Sequence, residues 1–499
     1  MGDSYMQFYN TPRASLIFRI RQAVSHITDL YSEFSRFIAP AYHHDRCERS
    51  VQMKLYNLSR REFFLTFVGF FSALGVCALL GLAGPAMTMT VQERASQLFP
   101  NINETQLASG PFLVKSPALS PYNYQLWLIA KIVLSNSKDE SFKKSFQLSV
   151  SIEGVPTDLS DPSSISDTPH NRSRELRCGA VEGCDPITVL HLSYLTHSHL
   201  IVLMRFHGLE DIVSWTRVTD VIFYYKTYNP SFMKVQIWVR FIFLLVAFCA
   251  TCWMGHSLRK YPFCDWSLEQ AWISVLLPTL IFYNNPLFPL VFLMDSWVPT
   301  FVDSLLQSSF MAALLLFWLC IYHGLRQNDR SLRSFFLPKL VLVGWLWCVV
   351  VVAACVQKQH ELHNPLYSAA AETNHFYAFK LCFYSAGAIY LLYLIYLIIR
   401  AYSELRSMPY FDLRLRFATL LLLSVACVVM AVLVANFGVG VLEDNFVADL
   451  STRYSSSVQF MTFYGLVNVY LLTMAYVYSP SSRSILGGCL TSDTLLSHY

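Results

Sequence analysis

The chain has 499 residues and a formal net charge of +4, with 54% hydrophobic residues, 15% aromatic and only 14% charged. A soluble domain carries about 25% charged residues, and single cores stop growing near roughly 250–300 residues. This much apolar surface therefore excludes a soluble enzyme, a disordered chain and a disulfide-rich mini-domain, and the small net charge gives no reason to expect nucleic acid as a partner.

Residues 1–62 form a polar N-terminal segment with one periodic stretch. Leu16, Ile20, Val24, Ile27, Tyr31, Phe34 and Ile38 recur at helical spacing among charged residues. The pattern predicts an amphipathic helix, lying on the membrane surface or docked beneath a helical bundle. The run 63–84 then carries no charge and ends at Gly84-Pro85. It is long enough to span a bilayer, which takes about 20 apolar residues, and too far from the start to be a cleaved signal peptide.

Residues 85–235 read as a separate all-β domain. Tyr124, Leu126, Leu128, Ala130 and Ile132 alternate on one face, as do Phe146, Leu148, Val150 and Ile152. Val218, Val221, Phe223 and Tyr225 follow the pattern less strictly. Turn-rich polar stretches at 101–109 and 156–173 separate them. Short alternating strands with such breaks predict an antiparallel sandwich. Cys178 and Cys184 are the cysteines of this segment; in an oxidising compartment they are expected to form a short-loop disulfide, with two free thiols as the alternative.

Seven further apolar runs follow, near 236–257, 272–293, 304–323, 337–356, 379–399, 417–437 and 459–478, then a polar tail at 479–499. The fold class expected is a multi-pass helical membrane protein with eight spans, one before and seven after an inserted lumenal sandwich. Basic residues choose the orientation. Lys54, Arg60, Arg61, Arg259, Lys260, Arg333, Lys339, Arg414 and Arg416 fall in alternate loops or at their edges, while Asp295, Asp303, Glu443, Asp444 and Asp449 fall in the others. Both termini are thus expected in the cytosol and the sandwich in the lumen or outside. Glycosylation is then expected at Asn103 and Asn171, whose sequons lie in that segment, and not at Asn57.

Candidate chemistry is sparse. No phosphate-cradling glycine loop, dinucleotide fingerprint, nucleophile elbow or metalloprotease motif is present, so neither catalysis nor a cofactor is expected. His360, Glu361, His363 and His375 have spacing compatible with a metal, but read more simply as surface residues. His191, His197, His199 and His207 read as strand residues on the surface or in packing. The third span is broken by Pro278, Asn284, Asn285, Pro286 and Pro289. Broken membrane helices occur where backbone lines a cavity or is buried in protein. Asn284, Asn285 and Pro286, with Gln307 on the fourth span and Asn468 on the eighth, are the candidate lining of a bundle cavity. A kink packed against its neighbours is the plainer alternative.

Several motifs carry a resemblance to a known family. They include KTYNP at 226–230, HSLRK at 256–260, SVLLP at 274–278, LFWLCIYHG at 316–324, ELHNP at 361–365, EDNF at 443–446 and FYGL at 463–466. With these the chain resembles the transmembrane protein 181 family, within the group that joins a lumenal GOLD domain to seven membrane helices. The resemblance covers nearly everything from Lys54 to Pro480. It implies a GOLD sandwich near 90–230 and a Wntless-like arrangement. It also implies a receptor-like protein tied to trafficking of membrane-associated or lipidated cargo, with docking of bacterial toxins as a described role. Partners expected are membrane lipids and a lumenal protein or lipidated ligand, along the Golgi, endosome and plasma-membrane route. The leading expectation is a non-enzymatic receptor-like or trafficking protein. An ion channel or channel regulator is the alternative, favoured by the broken span. G-protein-coupled signalling is third, because neither an acidic-Arg-Tyr switch nor an Asn-Pro-x-x-Tyr motif is present.

Overall fold

The structure, a computed structural model, describes residues 50–135, 141–155, 163–164, 170–179, 183–192, 194–214, 217–294, 296–325, 332–364, 373–405, 409–437 and 456–481. The helix expected over 16–38, the acidic residues at 443–449 and the tail beyond 481 lie outside the described residues.

Among the described residues, eight helices are long and apolar enough to cross a membrane. The first, α1 (Arg60–Ala83), begins at a capping box in which the Ser59 and Glu62 side chains satisfy each other's backbone N–H groups. Two short helices follow inside the sandwich segment, α2 (Ala95–Leu98) and α3 (Glu104–Ser109). The stretch 101–109, expected as turn, is therefore largely helical, because Gln106 reaches back to the Asn103 N–H and starts a turn of helix. The bundle continues with α4 (Pro230–Leu258), α5 (Leu268–Tyr283), α6 (Val298–Gly324), α7 (Leu337–His363), α8 (Thr373–Leu405), α9 (Pro409–Phe437) and α10 (Ser457–Tyr478). Asn229 caps α4 with Pro230 at its first position, where a missing N–H costs nothing. A Ser267–Gln270 capping box starts α5.

The segment between α1 and α4 folds into two antiparallel sheets. Its strands are β1 (Thr88–Arg94), β2 (Phe112–Lys115), β3 (Leu126–Ser135), β4 (Phe142–Val155), β5 (Ser163–Ser164), β6 (His170–Gly179), β7 (Gly183–Cys184), β8 (Ile187–Leu192), β9 (His199–His207) and β10 (Arg217–Tyr228). One sheet runs β1-β10-β3-β8; the other runs β2-β9-β4-β6-β7, with β5 against β4. The alternating residues of β3 and β4 turn inward as expected: Leu128, Ala130, Leu148, Val150 and Ile152 are fully buried. A register shift between Val218 and Asp220 explains the looser pattern of β10, since a bulge lets Val218 and Val221 both face the core. Tyr124 departs from the expected pattern. It ends a 3₁₀ turn with φ +61° and packs beside Tyr228 instead of lying in β3. His197 likewise precedes β9 and is not a strand residue. Cys178 and Cys184 form a disulfide joining β6 to β7.

The last helix closes the bundle. In α10, 67% of the apolar window is buried, against 11% in α1, so α10 is the enclosed one and α1 lies on the rim. They meet through glycines. A Cβ on Gly81 would sit 2.7 Å from the Val458 Cα, and one on Gly465 would sit 2.6 Å from the Cys77 Sγ. Small residues permit such close approach where no hydrophobic force separates helix from lipid.

Candidate functional site

The break in the third span sets the site. Helix α5 stops at Tyr283; Asn284 keeps helical dihedrals, and Asn285 turns left-handed at φ +47°. Asparagine tolerates that region where a β-branched side chain would not. Pro286 cannot supply the next N–H and is itself exposed. The Phe282 carbonyl, which a continuing helix would pair with residue 286, accepts instead from the Asn285 N–H at 3.0 Å. A tightened turn thus meets the freed carbonyl. The Asn285 Oδ1 then accepts from the Leu287 N–H at 3.0 Å, launching a 3₁₀ turn over Phe288–Phe292.

This geometry releases both amide side chains to work between helices. Asn284 Nδ2 donates to Asn468 Oδ1 on α10 at 2.9 Å, and Asn284 Oδ1 accepts from the Tyr464 hydroxyl at 2.6 Å. Asn285 Nδ2 donates to Asp303 Oδ1 on α6 at 2.8 Å. Gln307, one turn along α6, donates to Asp303 Oδ2 at 3.0 Å. Asn284 and Asn468 therefore meet directly, whereas Asn285 and Gln307 meet only through Asp303. The three asparagines are 1%, 3% and 0% exposed in chain order, so they are bonded to protein groups inside the packed core.

The charge at the centre was not anticipated. Arg240 of α4 binds Asp303 in a two-pronged bridge, Nη1 to Oδ1 at 2.7 Å and Nη2 to Oδ2 at 3.1 Å. Its guanidinium also lies 3.8 Å over the Phe288 ring and 5.6 Å from that of Tyr464. Arg240 and Asp303 both sit near the ends of their apolar runs in the sequence. Helix α4 starts at Pro230, ahead of the apolar run, and carries Arg240 further inside. The available signal was an Arg inside one apolar run and an Asp at the edge of another, since intramembrane charges seek each other. A second pair, Arg414 of α9 with Glu269 of α5, sits toward the face opposite the sandwich, with Nε to Oε1 at 2.9 Å.

An aromatic path joins this cluster to the sandwich. Tyr122 stacks on Phe292 with centroids 5.2 Å apart, and Phe292 touches Phe288 at 5.5 Å. Phe288 carries the Arg240 guanidinium. Beside this path, Trp127 stacks on His191 at 5.1 Å, and His191 Nδ1 lies 3.9 Å from Glu361 at the end of α7. Glu361 accepts from Lys358 at 2.7 Å and Gln357 at 2.9 Å. So Glu361, read from sequence beside histidines as a surface residue, is buried at the seam, and His191 is a buried seam residue as well. Asn103 and Asn171 are exposed on the sandwich, while Asn57 lies at the far face and donates to Ser481 Oγ at 2.6 Å.

Comparisons with known proteins agree with this architecture. Residues 229–482 match the family model described as Wntless-like, transmembrane domain, and residues 110–228 match that described as TMEM181, GOLD domain. The chain is 45% identical over 434 residues to Transmembrane protein 181 of Homo sapiens, covering 87% of this chain and 88% of that one. It is 24% identical over 368 residues to Protein wntless homolog of Rattus norvegicus, covering 66% and 64%. With Protein wntless of Drosophila ananassae it shares 26% over 336 residues, covering 60% and 58%.

Proposed function

The chain belongs to the transmembrane protein 181 family, and from that premise we propose that it is a non-enzymatic receptor-like or trafficking protein of the secretory and plasma-membrane route. The sandwich engages a protein or lipidated cargo, and the bundle answers through its polar cluster. One observation carries this reading: the path Tyr122, Phe292, Phe288, Arg240 and Asp303 runs unbroken from the sandwich to the centre of the bundle. Every link is a ring pair, a guanidinium over a ring or a bidentate bridge, so displacement at the sandwich seam reaches the Arg240 cluster through contact alone. The broken span is the coupling element, because an unbroken helix would carry no Phe288–Phe292 turn to insert between the two. The relatives named for wntless support cargo handling over conduction. An orientation with both termini cytosolic fits the basic residues Lys54, Arg60, Arg61, Arg259 and Lys260, all on the face opposite the sandwich.

The test is proximity labelling from an enzyme fused to the sandwich, in the parent and in Phe292→Ala. The expected outcome is an enriched set of secreted, acylated proteins for the parent, and loss of that set for the variant at equal surface level. An identical labelled set from both would sink the coupling. A chain that conducts ions in a planar bilayer, and labels no acylated protein, would make the channel alternative correct.

A further inference from the structure

The face opposite the sandwich holds a feature that the cargo reading leaves unused. Residues 51–57 lie across it as a clasp. Val51 N–H donates to Asp265 O at 2.8 Å, Lys54 N–H to Ser479 O at 2.9 Å, and Ser481 N–H to Gln52 O at 2.9 Å. Met53 and Pro480 form an antiparallel bridge between them. The clasp fixes the backbone of Lys54, and its ammonium rests over two rings, Tyr476 at 4.5 Å and Trp253 at 5.3 Å. Among the described residues no carboxylate pairs with Lys54; its neighbours are aromatic faces.

Trp253 belongs to a second structure as well. With Leu245, Val246, Cys249 and Ala250 it lines an open apolar groove of 440 Å³ on the outer face of α4. Leu245 to Trp253 covers about 12 Å of helix axis. Residues spaced by four and seven share a helix face, so Cys249, Trp253 and Lys260 fall along one stripe. The cap residue Arg259 keeps helical dihedrals, φ −56° and ψ −23°, which carries that stripe past Leu258 to Lys260. Arg259 and Lys260 are both exposed, and neither pairs with a described carboxylate. An open apolar groove thus runs along the α4 axis toward cations that pair with no described carboxylate. A neutral lipid would bring no negative charge to these cations, and a soluble phosphate would leave the groove uncovered.

We propose that this is a binding site for an anionic glycerophospholipid, its headgroup held by Lys54 and Lys260 and one acyl chain laid in the groove from Trp253 to Leu245. The site is separate from the Arg240 cluster, which lies 13 residues earlier on α4 than Trp253, about 20 Å along the helix. It does not depend on cargo. The aromatic pair strengthens the headgroup end, because Tyr476 and Trp253 hold the Lys54 ammonium in place before lipid arrives, lowering the ordering cost of binding.

The test uses the full chain in nanodiscs of phosphatidylcholine, with and without phosphatidylserine, followed by native mass spectrometry of retained lipid. The parent is expected to retain phosphatidylserine over phosphatidylcholine. Each lost cation should lower that preference about five-fold, from about 1 kcal/mol per basic residue near a membrane surface, in Lys54→Gln and in Lys260→Gln. Cys249→Trp, which fills the groove from an exposed position, should lower retention while leaving the melting temperature in phosphatidylcholine unchanged. Lys260 lies outside the clasp, so Lys260→Gln decides the matter if Lys54→Gln fails to fold. Equal preference in the parent and Lys260→Gln would overturn the headgroup assignment. Displacement of the lipid by glycerophosphoserine, which has no acyl chains, would show that a free phosphate suffices and would overturn the groove.

Discussion

Arg414 and Glu269 are sealed inside the bundle, their side chains 3% and 1% exposed, and they answer each other. Arg240 and Asp303, 6% and 14% exposed, sit in company: Asn285 and Gln307 also donate to Asp303, and Phe288 and Tyr464 face the guanidinium. Both are buried Arg–carboxylate pairs, yet the surroundings assign them different work. In the sealed pair, loss of one partner strands a charge in a low-dielectric core. In the shared pair, Asn285 and Gln307 keep Asp303 hydrogen-bonded if the Arg240 bridge is lost. That pair is the one placed at the end of the aromatic path from the sandwich.

The largest predicted effect therefore falls on the sealed pair. Glu269→Ala should destabilise by about 3–5 kcal/mol, read as loss of the monodisperse peak in detergent, and Glu269→Ala with Arg414→Met should recover part of it. A stable, monodisperse single variant would erase the distinction. Asn285→Leu removes the bonds to Asp303 and to the Leu287 N–H, with an expected loss of about 1–3 kcal/mol. Surface expression should stay near the parent while cargo labelling falls. Pro286→Ala should straighten the span and act the same way. If both variants traffic and label like the parent, the break is packing only, and the working contacts lie at the Trp127, His191 and Glu361 seam.

The sandwich supplies a scale for these values. Breaking its disulfide in Cys178→Ser or Cys184→Ser should lose about 2 kcal/mol, since the closed loop is short, and should slow exit from the endoplasmic reticulum in a pulse-chase. Unchanged exit would place the bridge outside the stability of the domain. The smallest energetic effect, and the clearest test of orientation, comes from Asn103→Gln and Asn171→Gln. Each should abolish one endoglycosidase-sensitive mobility shift, and Asn57→Gln should change nothing. A glycan on Asn57 would place the sandwich and the termini on the reverse sides.

Much of the architecture was legible because it rests on local periodicity. Uncharged runs of sufficient length specify spans wherever they occur. The inward faces of β3 and β4 follow from strict alternation, as Leu128 to Ile132 and Phe146 to Ile152 show. The same rule failed at Tyr124, where a turn before the strand changes the facing. It blurred at Val218, where a bulge inserts a residue that no period can encode. The amides of the broken span were legible as polar groups out of place; that Asn284 bonds Asn468 directly was decided by the packing of α5 against α10.

What sequence alone determined is where the chain is apolar, where it alternates and where Pro286 forbids a continuing helix, since each depends on neighbours within a few residues. The tertiary structure alone decided which buried groups satisfy which. Arg240 finds Asp303 63 residues away, Glu269 finds Arg414 145 residues away, and His191 faces Glu361 across the seam. A buried Arg, Asp or Glu shut away from water must be answered by protein, and the partner is fixed by which elements the packing brings side by side: α4 with α6, α5 with α9, and β8 with α7.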